Sequence, residues 1–308
     1  MDDRLLSEKA AAFTALTLFY GGDEKKAWTV LSSLDADYSV PFASYTREFT
    51  QSSEEEGAFN AIWRDVRSSF DSSRIPFSVM EYSSPLSDVH FLYLAGRREL
   101  LEGRKLCFLG SVMPSLQGRQ DTALCALEAV KNGYIVTAPF DSGLGPYALS
   151  VALKESGDVC AVLSSSLTKC PNENLLSLME AVYEKGLLVS QFSPYTKREK
   201  WHVVLRNRFL SSFADAFYMA EEKDGGPGWA VFDAALRNGR KCALSSSASG
   251  NPNFTWCRMR SESGSSVIKK PSEIKSLFPA EPRRRKASRP DPLQGDLFSG
   301  LETWNESV

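Results

Sequence analysis

The sequence predicts an α/β fold: a mostly parallel sheet with helices on both faces, a small helical module in front of it and a disordered tail behind it. Three observations carry this. Between Lys105 and Leu244, short apolar runs alternate with helix-length segments. The runs lack the in–out alternation of a half-exposed strand, as expected where both faces of a sheet are covered. After Phe278 the composition turns to proline, serine and charge, which cannot bury enough apolar surface to fold.

The boundaries follow as residues 1–74, 75–278 and 279–308. In the first portion, Leu5 to about Tyr20 and Glu24 to Leu34 have helical spacing, broken by Gly21-Gly22. A third helix from about Glu55 to Phe70 puts Phe59, Ile62, Trp63 and Val66 on one face, and the segment from Thr46 to Glu56 is expected to be exposed. From Ile75 to Gly103 the chain reads as a lead-in, with a strand His90–Ala95 and a charged helical turn. His90, beside that strand, reads as structural.

Sheet strands are predicted at Lys105–Leu109, Tyr134–Ala138, Val159–Leu163, Leu187–Gln191, Ala214–Ala220 and Lys241–Leu244. Helices are predicted at about Gln120–Asn132, Tyr147–Glu155, Glu173–Lys185 and up to Asn238, with a charged helical turn at Arg206-Asn207-Arg208. Asn253–Met259 and Ser266–Ile268 read as short closing strands.

With 43% apolar residues in 308, the chain can bury a substantial core. Its 36 basic and 38 acidic residues give no bulk attraction to nucleic acid, so polyanion binding requires local clustering. The six cysteines form no C-x-x-C pair and read as buried free thiols; with only two histidines, no metal and no cofactor are predicted. The acidic start and short apolar run of the N-terminus match neither a membrane span nor a signal peptide, which points to a cytoplasmic protein.

In a parallel sheet, the loops after the strands are the candidate ligand sites, because helix N-termini point their free N–H groups there. Gly110-Ser111-Val112-Met113-Pro114-Ser115 is one such loop; it lacks the G-x-G-x-x-G spacing and reads equally as a packing turn or a phosphate cradle. Asp141–Pro146 carries the same ambiguity, and Gly225-Gly226-Pro227-Gly228 is either a tight turn or a close-approach ligand loop. Arg206, Asn207 and Arg208 can grip a phosphodiester bidentately or make helix-surface ion pairs.

Taken in order, these blocks resemble the DNA-processing protein A (DprA/Smf) family, over about Ile75 to Phe278. Phe91–Gly96 followed by Leu106–Ser111 is similar to the family's opening strands. Gly133–Thr137 with Gly143-Leu144, Asn174-Leu175, and Gly186–Gln191 with Pro194 match later blocks. The most specific match is Arg206–Asp215, against R-N-R-I-I-S-G-L-S-D, followed by Ala235 and Gly239-Arg240. The resemblance implies an extended Rossmann-like fold that binds single-stranded DNA without chemistry on it, so not an enzyme. It also implies RecA loading in natural transformation or recombination, and a homodimer. It would place Arg206, Asn207 and Arg208 on backbone phosphates, with Gly110, Ser111, Gly226 and Gly228 lining the groove.

The chain departs from the family pattern at several positions. Val112 replaces an arginine, Asp158 a lysine and Leu149 a histidine, and Ser164-Ser165-Ser166 replace a glycine turn. Each lost basic contact removes a phosphate partner. In the tail, Gln294-Gly295-Asp296-Leu297-Phe298 matches the pentapeptide by which bacterial proteins dock on the β sliding clamp, with Gln294, Asp296, Leu297 and Phe298 as the motif positions. Arg283, Arg284, Arg285 and Lys286 form a basic arm before it.

Two other readings stay open. One is a nucleotide-binding or nucleotide-hydrolysing enzyme of related fold, with Asp141, Glu221 and Glu222 as the nearby carboxylates. The other is a clamp-tethered adaptor whose sheet has lost its ligand.

Overall fold

Helix formation at the front of the chain has local causes. Asp2 caps α1 (Asp3–Phe19) by accepting from the Arg4 N–H at 3.2 Å, and Asp23 caps α2 (Glu24–Ser33) through the Lys26 N–H at 2.9 Å. Ser52 caps α3 (Ser53–Asp71), while the Glu55 carboxylate reaches back to the Gln51 N–H. Ala10, Ala11, Ala12 and Ala15 are fully buried, a flat face that lets α1 lie close to α2 and α3. Phe59, Trp63, Val66 and Phe70 form the inner face of α3; Ile62 is only half-buried. A 3₁₀ segment, Phe42–Glu48, buries Phe42 and also Thr46, the first residue of the stretch expected to be exposed.

The computed structural model describes residues 2–73, 75–84 and 88–278. A single nine-stranded sheet runs in the order β1-β2-β6-β5-β4-β3-β7-β8-β9. Its strands are β1 (Ser78–Glu81), β2 (Phe91–Gly96), β3 (Lys105–Leu109), β4 (Ile135–Pro139), β5 (Val159–Val162), β6 (Leu187–Ser190), β7 (Ala216–Met219), β8 (Lys241–Ser245) and β9 (Ser266–Ile268). Among the described strands, β1–β2 and β2–β6 pair antiparallel and the other pairings are parallel. All residues of β3, β5, β6 and β7 are buried, because helices cover both faces and water reaches neither.

Between the strands lie α4 (Leu116–Lys131), α5 (Leu144–Lys154), α6 (Leu176–Lys185), α7 (His202–Phe213) and α8 (Pro227–Arg237). The short α9 (Ser246–Ser249) and α10 (Thr255–Glu262) follow β8. Asn253–Met259, expected as a strand, is therefore mostly helix. Only Cys257 of α10 is buried, while Arg260 reaches Asp233 on α8 at 2.6 Å, contacts that suit a helix lying on the surface. Met1 to Leu277 is one compact unit, and α1 packs on β1, so the front helices share a core with the sheet.

All six cysteines are free, five of them buried. His90 stacks on Trp28 with ring centroids 4.0 Å apart, and burial lowers its pKa. The basic arm Arg283–Lys286 and the motif at Gln294, Asp296, Leu297 and Phe298 lie outside the described residues.

Candidate nucleic-acid interface

The chain order around β3 locates the ligand edge. From β3 the strands step outward through β4, β5 and β6; α7 then carries the chain back, and β7 adds to the other side of β3. That reversal opens a crevice at the carboxyl ends of β3 and β7, where ligands bind in sheets of this type.

In this chain the crevice is filled by its own side chains. The Ser111 N–H donates to the backbone carbonyl of Glu221 at 2.9 Å, tying the loop after β3 to the loop after β7. The Glu221 carboxylate, 4% exposed, accepts from the Ser115 N–H at 2.5 Å and from the Ser115 hydroxyl at 2.6 Å. Ser115 is the cap of α4, so Glu221 sits on that helix's N-terminus.

Its neighbour Glu222, 2% exposed, does the same for α8, accepting from the Gly228 N–H and the Lys223 N–H, each at 3.1 Å. Burial raises the Glu222 pKa against the pull of these two N–H donors, and the adjacent Glu221 adds to the rise. A Cβ on Gly118 would lie 2.3 Å from Glu221 Cδ, and one on Gly226 would lie 2.2 Å from Glu222 Oε1. These glycines make room for internal carboxylates.

A second internal network lies at the ends of β4 and β5. Arg206, 3% exposed, pairs with Asp141, donates through Nη1 to the Val162 carbonyl at 3.2 Å, and donates through Nε to Asn207 Oδ1 at 2.9 Å. The Ser164 hydroxyl also donates to Asp141, and the Asn172 amide donates to the Asp141 carbonyl at 3.2 Å. Burial lowers the Arg206 pKa, and the facing Asp141 carboxylate opposes that shift.

Of the three residues expected on phosphate, Arg206 and Asn207 thus turn inward. Arg208 turns outward, its side chain 62% exposed and paired with exposed Asp88 at 3.1 Å. The groove-lining positions also have partners of their own. Ser111 is buried with its N–H bonded, Gly110 is pressed against Leu144 and Glu221, and Gly226 and Gly228 pack on Glu222.

The departures from the family pattern sort themselves by place. Asp158 lies just before β5, at the far edge of the sheet, where it pairs with Arg97 at 2.6 Å and adds no repulsion at the crevice. Leu149 is in the core, and Ser164, Ser165 and Ser166 are buried in hydrogen bonds. Val112 is exposed beside Met113 and Leu116.

Exposed cations at this edge lie on the segment leading into α7. Lys197, Arg198, Lys200 and Trp201 are all exposed. Arg198 donates to the Pro171 carbonyl at 2.7 Å and stands 3.9 Å from the Asp141 carboxylate. Trp201 stands edge-on to His202, which stacks on Phe192 at 4.3 Å and accepts the Glu199 N–H on Nδ1. Behind this strip, a cavity of about 630 Å³ is lined by Phe192, Tyr195, Lys197, Trp201, His202 and Arg208, among others. The run Lys197-Arg198-Glu199-Lys200-Trp201 is a basic cluster ending in an aromatic, a pattern that marks these residues in the sequence itself.

Residues 71–279, more than half of the chain, match the profile of the family described as DNA recombination-mediator protein A. The chain belongs to that family. It is 26% identical over 173 residues to the DNA processing protein DprA of Bacillus subtilis (strain 168), covering 54% of this chain and 58% of that protein. Against DprA of Streptococcus pneumoniae it is 23% identical over 170 residues, 53% and 60% of the two chains. The matched stretch thus spans less than two thirds of each of these relatives.

Among solved structures, the X-ray structure of DprA from Streptococcus pneumoniae aligns with a TM-score of 0.65 at 15% identity, covering 91% of this chain and 99% of that one. DNA processing protein A from Helicobacter pylori, whose structure is described for its single-stranded DNA binding mode, aligns with a TM-score of 0.58 at 20% identity, covering 66% and 96%. These likenesses establish the fold.

Among the described residues, no helix is long and apolar enough to cross a membrane.

Proposed function

We propose that this chain binds single-stranded DNA as a non-catalytic recombination mediator, gripping the strand on the outer face of α7 and the segment before it. The observation that carries the reading is the exposed strip Lys197, Arg198, Lys200, Trp201 and Arg208 at the carboxyl edge of the sheet, in a chain of the recombination-mediator family. Guanidinium forks and ammonium groups suit backbone phosphates, and an exposed indole stacks on any unpaired base without reading its sequence. The Arg208–Asp88 pair is exposed, so it contributes little stability and can be exchanged for a phosphate.

Arg206 and Asn207 serve as positioning residues that hold α7 against the strand ends, and Gly110, Ser111, Gly226 and Gly228 shape the turns around them. The non-catalytic part of the reading is supported by where the acids and thiols are spent. Asp141, Glu221 and Glu222 all accept internal hydrogen bonds, and burial pushes the Cys125, Cys160 and Cys242 thiols up to about 12. RecA loading, a homodimeric assembly, added phosphate contacts from Arg283–Lys286 and clamp docking through Gln294–Phe298 complete the proposal.

Fluorescence anisotropy with oligothymidylate at low and moderate salt tests the core of it. Binding is expected to weaken with salt and to fall in Lys200→Ala, Trp201→Ala and Arg208→Ala. Equal affinity for all three variants and the parent, or release of base from nucleoside monophosphates, refutes it. Pull-down on the β clamp with and without Leu297→Ala/Phe298→Ala tests the tether separately.

A further inference from the structure

The crevice between β3 and β7 has the two features that draw phosphate in this kind of sheet, a pair of glycine-containing turns and two helix N-termini of α4 and α8. Both N-termini are already occupied by a glutamate side chain. Glu221 takes the Ser115 N–H and hydroxyl, and Glu222 takes the Gly228 and Lys223 N–H groups. The two residues are consecutive, so one short loop after β7 delivers an acid to a helix on each side. The space is committed as well as the charge. Cβ atoms on Gly118, Gly226 and Gly228 would lie 2.3, 2.2 and 2.7 Å from glutamate side-chain atoms.

A phosphate entering here would have to displace a buried carboxylate and then lie beside a second one. At such distances in a partly dry site, like charges repel strongly. Cations give little relief: Lys223, which acts on Glu222, is exposed to solvent, Arg206 is engaged by Asp141, and the position where the family resemblance places an arginine is Val112.

We propose that the Glu221 and Glu222 side chains are resident plugs that bar phosphate from the switch crevice, so that a nucleic-acid backbone can be held only on the outer strip of α7. The exclusion stands on the geometry of the crevice alone; the second half rests on the single-stranded DNA reading above.

The test uses the full chain, labelled with ¹⁵N, and inorganic pyrophosphate as probe. In the parent protein, the amide signals of Ser115, Gly118, Lys223 and Gly228 are expected to stay in place at millimolar pyrophosphate. Glu221→Ala is expected to create binding reported by Ser115 and Gly118, and Glu222→Ala binding reported by Lys223 and Gly228. The gain in affinity should be on the order of tenfold or more, as freed helix-terminal donors meet an anion. Glu222→Gln, which keeps the plug without its charge, should gain far less.

Pyrophosphate shifts at these amides in the parent overturn the proposal, as does the absence of any gain in folded alanine variants. If an alanine variant does not fold, an oligothymidylate titration of the parent decides. Shifts at Lys200 and Trp201 with none at Ser115 and Gly228 support exclusion, and shifts at Ser115 or Gly228 overturn it. A parent that binds no oligonucleotide while the alanine variants gain pyrophosphate would remove the DNA reading and leave the exclusion intact.

Discussion

Arg206 and Arg208 stand two positions apart on α7 and face opposite worlds. Arg206 is sealed among Asp141, Asn207 and the Val162 carbonyl, whereas Arg208 meets one exposed carboxylate and water. The same side chain is thus a structural tie on one side of the helix and an available phosphate ligand on the other. A motif match cannot separate the two roles, because both arginines belong to the same three-residue block. Burial separates them.

The contrast can be broken most forcefully at Arg206. Arg206→Ala leaves Asp141 facing the interior without its cation and should cost about 3–5 kcal/mol of stability, read by chemical denaturation. A loss below about 1 kcal/mol would mean that the inner network is not structural.

Next in size is Trp201→Ala, expected to weaken oligothymidylate binding by about 1–3 kcal/mol while leaving unfolding unchanged. Arg208→Ala should be smaller still in affinity at moderate salt. Its signature is a drop of about 0.7 in the slope of log affinity against log salt, with stability within about 0.5 kcal/mol of the parent. If Arg208→Ala unfolds the protein as Arg206→Ala does, the two sides of α7 are not different in kind.

The subtlest effect is proton-linked. Burial raises the Glu222 pKa in the folded chain, so the folded state holds this proton more tightly than the unfolded one. Its contribution is fully present below the ordinary glutamate range and is lost as pH rises through the folded value. Glu222→Gln should therefore gain on the parent in thermal stability as pH moves from that range to neutrality. A constant difference across the same range would show that Glu222 titrates as it does in the unfolded chain.

Much of the fold was legible because its causes are local. Continuous apolar runs such as Leu106–Leu109 and Ala216–Met219 are legible as strands buried on two faces, and α3 shows its apolar face in its spacing. Asn253–Met259 was ambiguous for a related reason, since a short surface helix with one buried residue leaves little periodicity to read.

The site was legible only in part. Sequence reading names Arg208 within its block but passes over Lys197–Trp201, although its charge and ring are there to read, and the occupation of the glycine turns leaves no such signal. Glu221 meets Ser115 across 106 positions of sequence, and Arg206 meets Asp141 across 65. Glycines that make room for a ligand and glycines that make room for the chain's own carboxylate look the same in one dimension.

Strand direction adds a last consequence. Because β2 runs against β6, it begins, rather than ends, at the edge where the parallel strands finish. Asp88 and His90, which precede β2, therefore arrive at the same rim as the loops that follow β4, β5 and β6. One reversed strand lets the front of the chain place an acid directly opposite Arg208. The strength of that arginine's grip on any anion is then set by a residue that belongs to the lead-in, and Asp88→Asn is a way to turn it up from outside the sheet's parallel half.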